Sequence, residues 1–248
     1  MPLLTDIQLP AIQLSAVSKS YPSAAGPVPV LREVSVGFPQ RALTAVMGPS
    51  GSGKTTLLNC AAGLDKPDTG RVLLGETDLA ACGERELTVV RRSRIGFVFQ
   101  QFNLLPMLTV YENVALPLRL QRGRVRRDRI MEALQQVGLG DKAGRRPAQL
   151  SGGQQQRVAI ARTLVAEPEL VFADEPTGSL DRRSGRQIME LLRDTVDRAA
   201  RTVVMVTHDP AAAACADRVI FLSDGHIVGK LDHPTAEAVA QQLSLWEQ

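Results

Sequence analysis

The stretch ALTAVMGPSGSGKTTLLNCAAGL, from Ala42 to Leu64, constrains this chain more than any other. Ala42 to Met47 form a nearly continuous apolar run without alternation, the pattern of a strand covered on both faces in a parallel sheet. A glycine-rich segment follows, and KTTLLNCAAGL reads on as a helix. A buried strand that hands over to a helix in this way demands α/β layering, because neither element can bury its apolar surface alone. The segment also fits the pattern GxxxxGK[ST]. In that pattern Gly48, Pro49, Ser50, Gly51, Ser52 and Gly53 close backbone N–H groups around phosphate, Lys54 reaches the outer oxygens, and Thr55, followed by Thr56, offers a hydroxyl to magnesium.

Other segments supply the rest of such a sheet. AIQLSAV alternates from Ile12 through Leu14 to Ala16 and VLREVSVGF returns before Pro39, so two half-buried strands are predicted at the N-terminal end. LVFAD (170–174) and TVVMVT (202–207) read as buried strands, and Ile188, Leu191, Leu192 and Val196 mark a helical face between them. VIFLSDGHIV carries an Asp224-Gly225 turn between apolar runs, and Pro234 to Trp246 predicts a closing helix. From Asn103 to about Ala166 the pattern turns helical, with Ile130, Leu134 and Val137 on one side of a helix that begins near Arg127.

Several polar residues fall where chemistry is possible. Asp174 ends a strand and can hold the magnesium shell, while the adjacent Glu175 can polarise an attacking water; the same pair equally suits a helix cap. His208 follows the next buried run, where an imidazole can bond a γ-phosphate, although a lone histidine is more often structural. Gln100, after GFVF, can reach magnesium or water with its amide, and it also needs no function at a strand end. Tyr21 offers an aromatic face to adenine, or simple packing beside a proline turn. His226 and His233 read as surface residues in turns. LSGGQQQRVAIAR begins a second helix whose first N–H groups lack partners, so Ser151, Gly152, Gly153 and Gln154 form a second anion-seeking helix start.

Composition narrows the field. The chain has 248 residues, 44% of them hydrophobic, and a formal charge of +3, enough for a substantial core and too mild to imply nucleic-acid binding. Cys60, Cys82 and Cys215 form no CxxC pair, which argues against a disulfide framework or a zinc site. MPLLTDIQLP has no basic leader, so retention inside the cell is expected. The longest uncharged run, Ile95 to Tyr111, contains Gln100, Gln101, Asn103 and Pro106 and does not suit a spanning helix. The arginine run of Arg122, Arg124, Arg126, Arg127 and Arg129 has no interleaved aromatics to stack bases and reads as a solvated helix start.

Taken in order, Gly48 to Thr56, Gln100, LSGGQ from Leu150, LVFADE, the Ser179-Leu180-Asp181 turn and His208 resemble the full motif set of the ABC ATPases, across nearly the whole chain. The resemblance implies an α/β fold: a P-loop NTPase core with a mainly parallel sheet, an N-terminal antiparallel β subdomain and an α-helical insert. One nucleotide-binding domain would span 1–248, with the helical subdomain at about 103–166. ATP and Mg2+ are the implied ligands. Tyr21 would stack on adenine, and Thr55, Gln100 and Asp174 would attend the metal. Glu175 would act as catalytic base, Gln100 as coupling sensor and His208 as γ-phosphate switch. Ser151, Gly152, Gly153 and Gln154 would face the nucleotide held by a second ATPase subunit, so that two ATP molecules join two chains head to tail. That explains why one chain carries two phosphate-seeking helix starts.

ADEPTGSLD and TVYENVALPL further resemble bacterial ATPases of the lipoprotein-release, macrolide-export and cell-division type, which usually carry Asn where this chain has Ser179. The function so implied is an ATP-hydrolysing motor that drives a separate transmembrane permease, as exporter or extractor, from the cytoplasmic face of the membrane. A homodimer is the simplest assembly because both half-sites lie in one chain; a heterodimer is the other. Mechanical signalling by the same cycle stays open as an alternative. An ABC ATPase acting on nucleic acid or ribosomes is a further alternative that the arginine run keeps open; the lack of a long coiled-coil insert, a tandem second copy and a zinc-type cysteine set counts against it, and direct nucleic-acid binding is not expected. A small-molecule P-loop kinase leaves the Ser151 segment and Glu175 without a purpose.

Overall fold

Every residue of the strand before the glycine-rich loop is buried, and the main sheet is built outward from it. The computed structural model describes residues 10–24, 26–121 and 125–245. The N-terminal part holds β1 (Pro10–Tyr21), β2 (Val28–Pro39), β3 (Leu43–Met47), α1 (Lys54–Ala61), β4 (Thr69–Leu74) and β5 (Thr77–Asp78). The middle continues through α2 (Glu84–Arg94), β6 (Ile95–Val98), α3 (Val110–Leu120), α4 (Arg127–Gln136) and α5 (Gly152–Leu164). The remainder is β7 (Leu170–Asp174), α6 (Arg182–Asp197), β8 (Thr202–Val206), α7 (Pro210–Ala213), β9 (Arg218–Ser223), β10 (His226–Asp232) and α8 (Ala236–Ser244).

The larger sheet has the order β10-β9-β3-β8-β7-β6, parallel except for β10 at one edge. A smaller antiparallel sheet has the order β2-β1-β4-β5. The unbroken apolar runs now have their reason, because both faces of the parallel sheet are covered. Phe172, Val204, Val206 and Ile220 face one core together with α1 and the antiparallel sheet. Val171, Ala173, Val203 and Met205 face the other, closed by Ile188 and Leu192 of α6 and Val239 of α8.

The helical insert has its own core, where Val114 and Leu118 of α3 meet Ile130 and Leu134 of α4 and Val158 and Ala161 of α5. One buried polar residue organises its entry. Asn113 is fully buried; its Oδ1 accepts from Leu105 N at 2.8 Å, and the two N–H groups of its Nδ2 are shared among the carbonyls of Leu105, Leu108 and Thr109 at 3.1, 3.2 and 3.0 Å.

The structure departs from the sequence reading at specific places. The alternation of β1 breaks at Ala16, which is exposed with φ of 48°, and Val17 takes the buried place; a register irregularity there shifts the side chains by one. Strands β4 and β5 and helix α2 were not predicted: β4 buries only Val72 and Leu74, and α2 buries only Leu87, too little periodic signal to read. Arg129 is not simply solvated, since its Nε donates to the Val165 carbonyl and its Nη2 pairs with Glu167 at 3.2 Å. His226 opens β10 rather than lying in the turn, and is exposed as expected. Helix α8 begins at Ala236, after a Thr235 cap, rather than at Pro234. Arg122, Arg124 and Trp246 lie outside the described residues.

Asn113→Ala removes the side-chain bonds that hold the partly buried 105–109 loop, leaving the Leu105 N–H and the Leu108 carbonyl without this partner, while the Leu105 and Thr109 carbonyls keep their backbone donors. Urea unfolding is expected to show a stability loss of about 2–3 kcal/mol, and an unchanged midpoint would contradict this role.

Candidate active site

Parallel register brings distant residues to one edge. Val46 pairs with Val206, Val206 with Asp174, and Ala173 with Val98, so β3, β8, β7 and β6 end together. The segments just beyond them stand side by side: the Gly48–Thr56 loop after β3, Thr207 and His208 after β8, Glu175 beyond Asp174 at the end of β7, and Gln100 after β6. Ligands of open α/β sheets bind at this end of the strands.

The glycine-rich loop is braced from two sides. A Cβ on Gly48 would lie 1.9 Å from the Leu222 carbonyl oxygen of β9, so nothing larger than glycine fits there. The Ser52 carbonyl accepts from Gly225 N in the β9–β10 turn at 3.2 Å. The Ser52 hydroxyl is buried and has no partner among the described residues. Lys54 curls back over the loop, its Nζ donating to the carbonyls of Gly48 at 2.9 Å and Pro49 at 2.7 Å. Burial lowers the Lys54 pKa, opposed by the negative charges of Glu175 and Asp174.

Asp174 Oδ1 stands 3.5 Å from Thr55 Oγ1, too far for a strong direct hydrogen bond. Burial pushes the Asp174 carboxyl up, and the charge of Glu175 adds to it. A hydroxyl and a carboxylate oxygen that face each other, beside a second carboxylate, are hard donors suited to a small divalent cation. Among the described residues no group of three or more His, Cys, Asp and Glu is placed to hold a metal, so a magnesium ion here would need the phosphates to complete its shell.

Glu175 sits in a left-handed backbone conformation, φ 46°, fixed by its own N–H to the Val206 carbonyl at 2.9 Å. Holding a non-glycine residue there costs on the order of 1 kcal/mol and aims its side chain away from the strand direction. That side chain meets His208, whose Nδ1 is 3.0 and 2.9 Å from the two carboxylate oxygens. Nδ1 thus faces the carboxylate and Nε2 is the nitrogen left for a ligand, a donor only where it carries a proton. The imidazole is therefore oriented by Glu175, a contact the sequence did not indicate.

Gln100 is exposed and its Nε2 packs against Gly178, while its carbonyl accepts from Ser179 Oγ at 3.2 Å. Ser179 thus ties the turn after Glu175 to the Gln100 segment. Tyr21 donates its hydroxyl to Asp65 Oδ2 at 2.5 Å, lies beside Thr56, and has Lys19 Nζ 5.4 Å from its ring centre.

Ser151 caps α5: its Oγ accepts from Gln154 N at 3.3 Å and Gln154 Oε1 accepts from Ser151 N at 3.1 Å. Gly152 and Gly153 keep helix-start N–H groups with no acceptor inside the helix. A Cβ on Gly153 would fall 2.6 Å from Ser184 Oγ, so this glycine also permits α5 and α6 to touch. Asp65, Gln156 and Arg162 were not singled out from the sequence. Arg162 of α5 donates to the carbonyls of Phe102 and Asn103, both in left-handed conformation, and Gln156 reaches the backbone beside Gln100 and Glu175.

Residues 31–178 match the family described as ABC transporter. The chain is 47% identical over 232 residues to the lipoprotein-releasing system ATP-binding protein LolD of Anaeromyxobacter dehalogenans, covering 92% of this chain and 96% of that one. It is 46% identical over 228 residues to the macrolide export ATP-binding/permease protein MacB 1/2 of Paracoccus denitrificans, covering 91% of this chain but only 34% of that longer protein. Among solved structures, a dimeric post-hydrolysis state of the ATP-binding cassette MJ0796 bound to ADP and Pi superposes with a TM-score of 0.84 at 42% identity, over 90% of this chain and 98% of the other. MJ0796 comes from Methanocaldococcus jannaschii.

The raised carboxyl of Asp174 has a measurable consequence. The folded chain holds that proton more tightly than the unfolded chain, so stability falls as pH rises from the ordinary value of 3.8 through the folded value and stays lower at neutral pH. Asp174→Asn is expected to raise the urea midpoint of the nucleotide-free protein at pH 7, with the gain vanishing below 3.8, while ATP turnover is lost. Equal midpoints at neutral pH would refute the burial cost.

Proposed function

The chain belongs to the ABC transporter family, and from that premise we propose that it is the ATP-hydrolysing motor of a membrane exporter or extractor, acting as a homodimer at the cytoplasmic face of the membrane. The observation that carries the dimer is the second helix start. Ser151 is exposed and among the described residues bonds only within its own helix end, and Gly152 and Gly153 pack on Leu180, Phe102 and Ser184 rather than on the Gly48–Thr56 loop. Its free N–H groups and positive dipole end suit a phosphate held by another copy. The dimeric form of MJ0796 with ADP and Pi supports this arrangement.

A separate permease is the natural partner. No helix among the described residues is long and apolar enough to cross a membrane. In the MacB relative the name joins ATP-binding and permease functions in one polypeptide, of which this chain matches about a third.

Within each site the residues divide the work. The loop amides and Lys54 bind the triphosphate, Lys54 exchanging the Gly48 and Pro49 carbonyls for phosphate oxygens. Thr55 and Asp174 would hold Mg2+, which would offset charge on the outer phosphates. Glu175, aimed by its backbone and by His208, takes the proton from the attacking water. His208 offers Nε2 to the γ-phosphate as a donor when the ring carries a proton on both nitrogens, and Tyr21, steadied by Asp65, presents its ring to adenine. Loss of the γ-phosphate removes the charge that two copies grip together, and the pair opens.

Glu175→Gln is expected to bind ATP, hydrolyse it about 10²–10⁴-fold more slowly and accumulate as a dimer in light scattering. Parental turnover would remove Glu175 from the reaction. Lys54→Ala and Ser151→Arg should each abolish turnover, and mixing them should restore it, since the mixed dimer contains one intact shared site; no recovery in a mixture shown to form mixed dimers would sink the shared-site reading.

A further inference from the structure

Gln156 lies on α5, just over one turn beyond Ser151, and is fully buried. Its Nε2 donates to the Pro176 carbonyl at 2.7 Å and to the Phe99 carbonyl at 3.3 Å. Pro176 follows Glu175 directly, and Phe99 directly precedes Gln100. One amide nitrogen therefore touches the backbone next to two active-site residues, from the helix whose start carries the third.

The amide orientation is fixed by its surroundings, because a flip would set Oε1 against two carbonyl oxygens. In the observed orientation Oε1 is buried with no partner among the described residues. A hydrogen-bonding group left unpaired in the interior costs about 1–3 kcal/mol, and an apolar residue of similar shape would avoid that cost. The retained amide points to a purpose beyond filling space. A buried hydrogen bond is also stronger and less yielding than one in water, so it transmits position well.

We propose that Gln156 is a positioning residue for ATP hydrolysis, setting the Glu175 and Gln100 segments at a fixed distance from the Ser151 end of α5. The assignment rests on the roles given above to Glu175, Gln100 and Ser151. Through it, a displacement of α5 moves the base and the Gln100 turn together. Ser179, bonded to the Gln100 carbonyl, and Gly178, packed on its amide, close the same ring from the other side.

A matched control exists on the same helix. Thr163 is also buried, and its Oγ1 lies 2.6 Å from the Phe97 carbonyl and 2.9 Å from the Ala159 carbonyl, sharing its one proton between them and tying α5 to β6 without reaching the Glu175 segment. Gln156→Met keeps the side-chain volume and removes the donor. Measured per folded molecule, its kcat is expected to fall about 10–100-fold, with ATP affinity within about threefold of the parent. Thr163→Val should lose thermal stability yet hold kcat within about twofold. Parental kcat in Gln156→Met, an equal kcat loss in Thr163→Val, or affinity and kcat falling together would each overturn the assignment.

Should Gln156→Met fail to fold, Gln156→Glu serves instead. Its carboxyl regains a donor when protonated, so its kcat relative to the parent should climb as pH falls, and a flat ratio would count against the proposal. Glu175→Gln is run alongside. Parental turnover there defeats the catalytic reading and this assignment with it, whereas an inactive Glu175→Gln beside a fully active Gln156→Met defeats the assignment alone.

Discussion

The backbone hydrogen bonds that hold β3, β8, β7 and β6 in parallel register decide where every charged group of the site can stand. Parallel pairing needs long crossovers, and those crossovers are the helices that cover both faces of the sheet. Because the strands end together, the loops that follow them crowd into one crevice. Lys54, Asp174, Glu175 and His208 come from three different strand ends and still form a single electrostatic unit. None of them could be moved without moving a strand of the core.

Crowding carries a cost that the site turns to use. Two carboxylates stand close together in a partly buried place, and Asp174 is held above its ordinary range by that burial and by its neighbour. Lys54 is depressed by the same desolvation. A magnesium triphosphate would supply the cation for one and the anion for the other. The protein is thus poised to gain from its substrate what its own fold withholds, a common bargain at functional sites.

The helical insert extends this logic away from the sheet. Its three helices have a core of their own, but α5 also runs against β6, and its buried polar side chains reach into the loops of the crevice. Arg162 and Gln156 grip backbone carbonyls at 99, 102, 103 and 176, so the insert is fastened to the segments that flank Gln100 and Glu175. A device of this kind allows a rigid element to act on chemistry it does not touch. The small glycine contact at Gly153 lets α6 join the same cluster, since a side chain there would push Ser184 away.

The buried strands, the glycine loop, the Asp174-Glu175 pair, the Asp224-Gly225 hairpin and the α4 and α6 faces were legible in the chain because each is a local pattern: unbroken apolar runs, helical periodicity, or residues whose chemistry demands fixed neighbours. Strand β4 and helix α2 were not, since they bury one face weakly and leave no period to read. The bulge at Ala16 was equally hidden, because a left-handed residue in a strand is decided by pairing on both sides. What only the tertiary structure decided is who touches whom: His208 on Glu175, Tyr21 on Asp65, Ser179 on Gln100, and Gln156 between Phe99 and Pro176. Such contacts join residues 33 to 79 positions apart for the first three pairs, and sequence periodicity carries no information at that range; strand register together with the packing of helices and loops on the sheet brings them together.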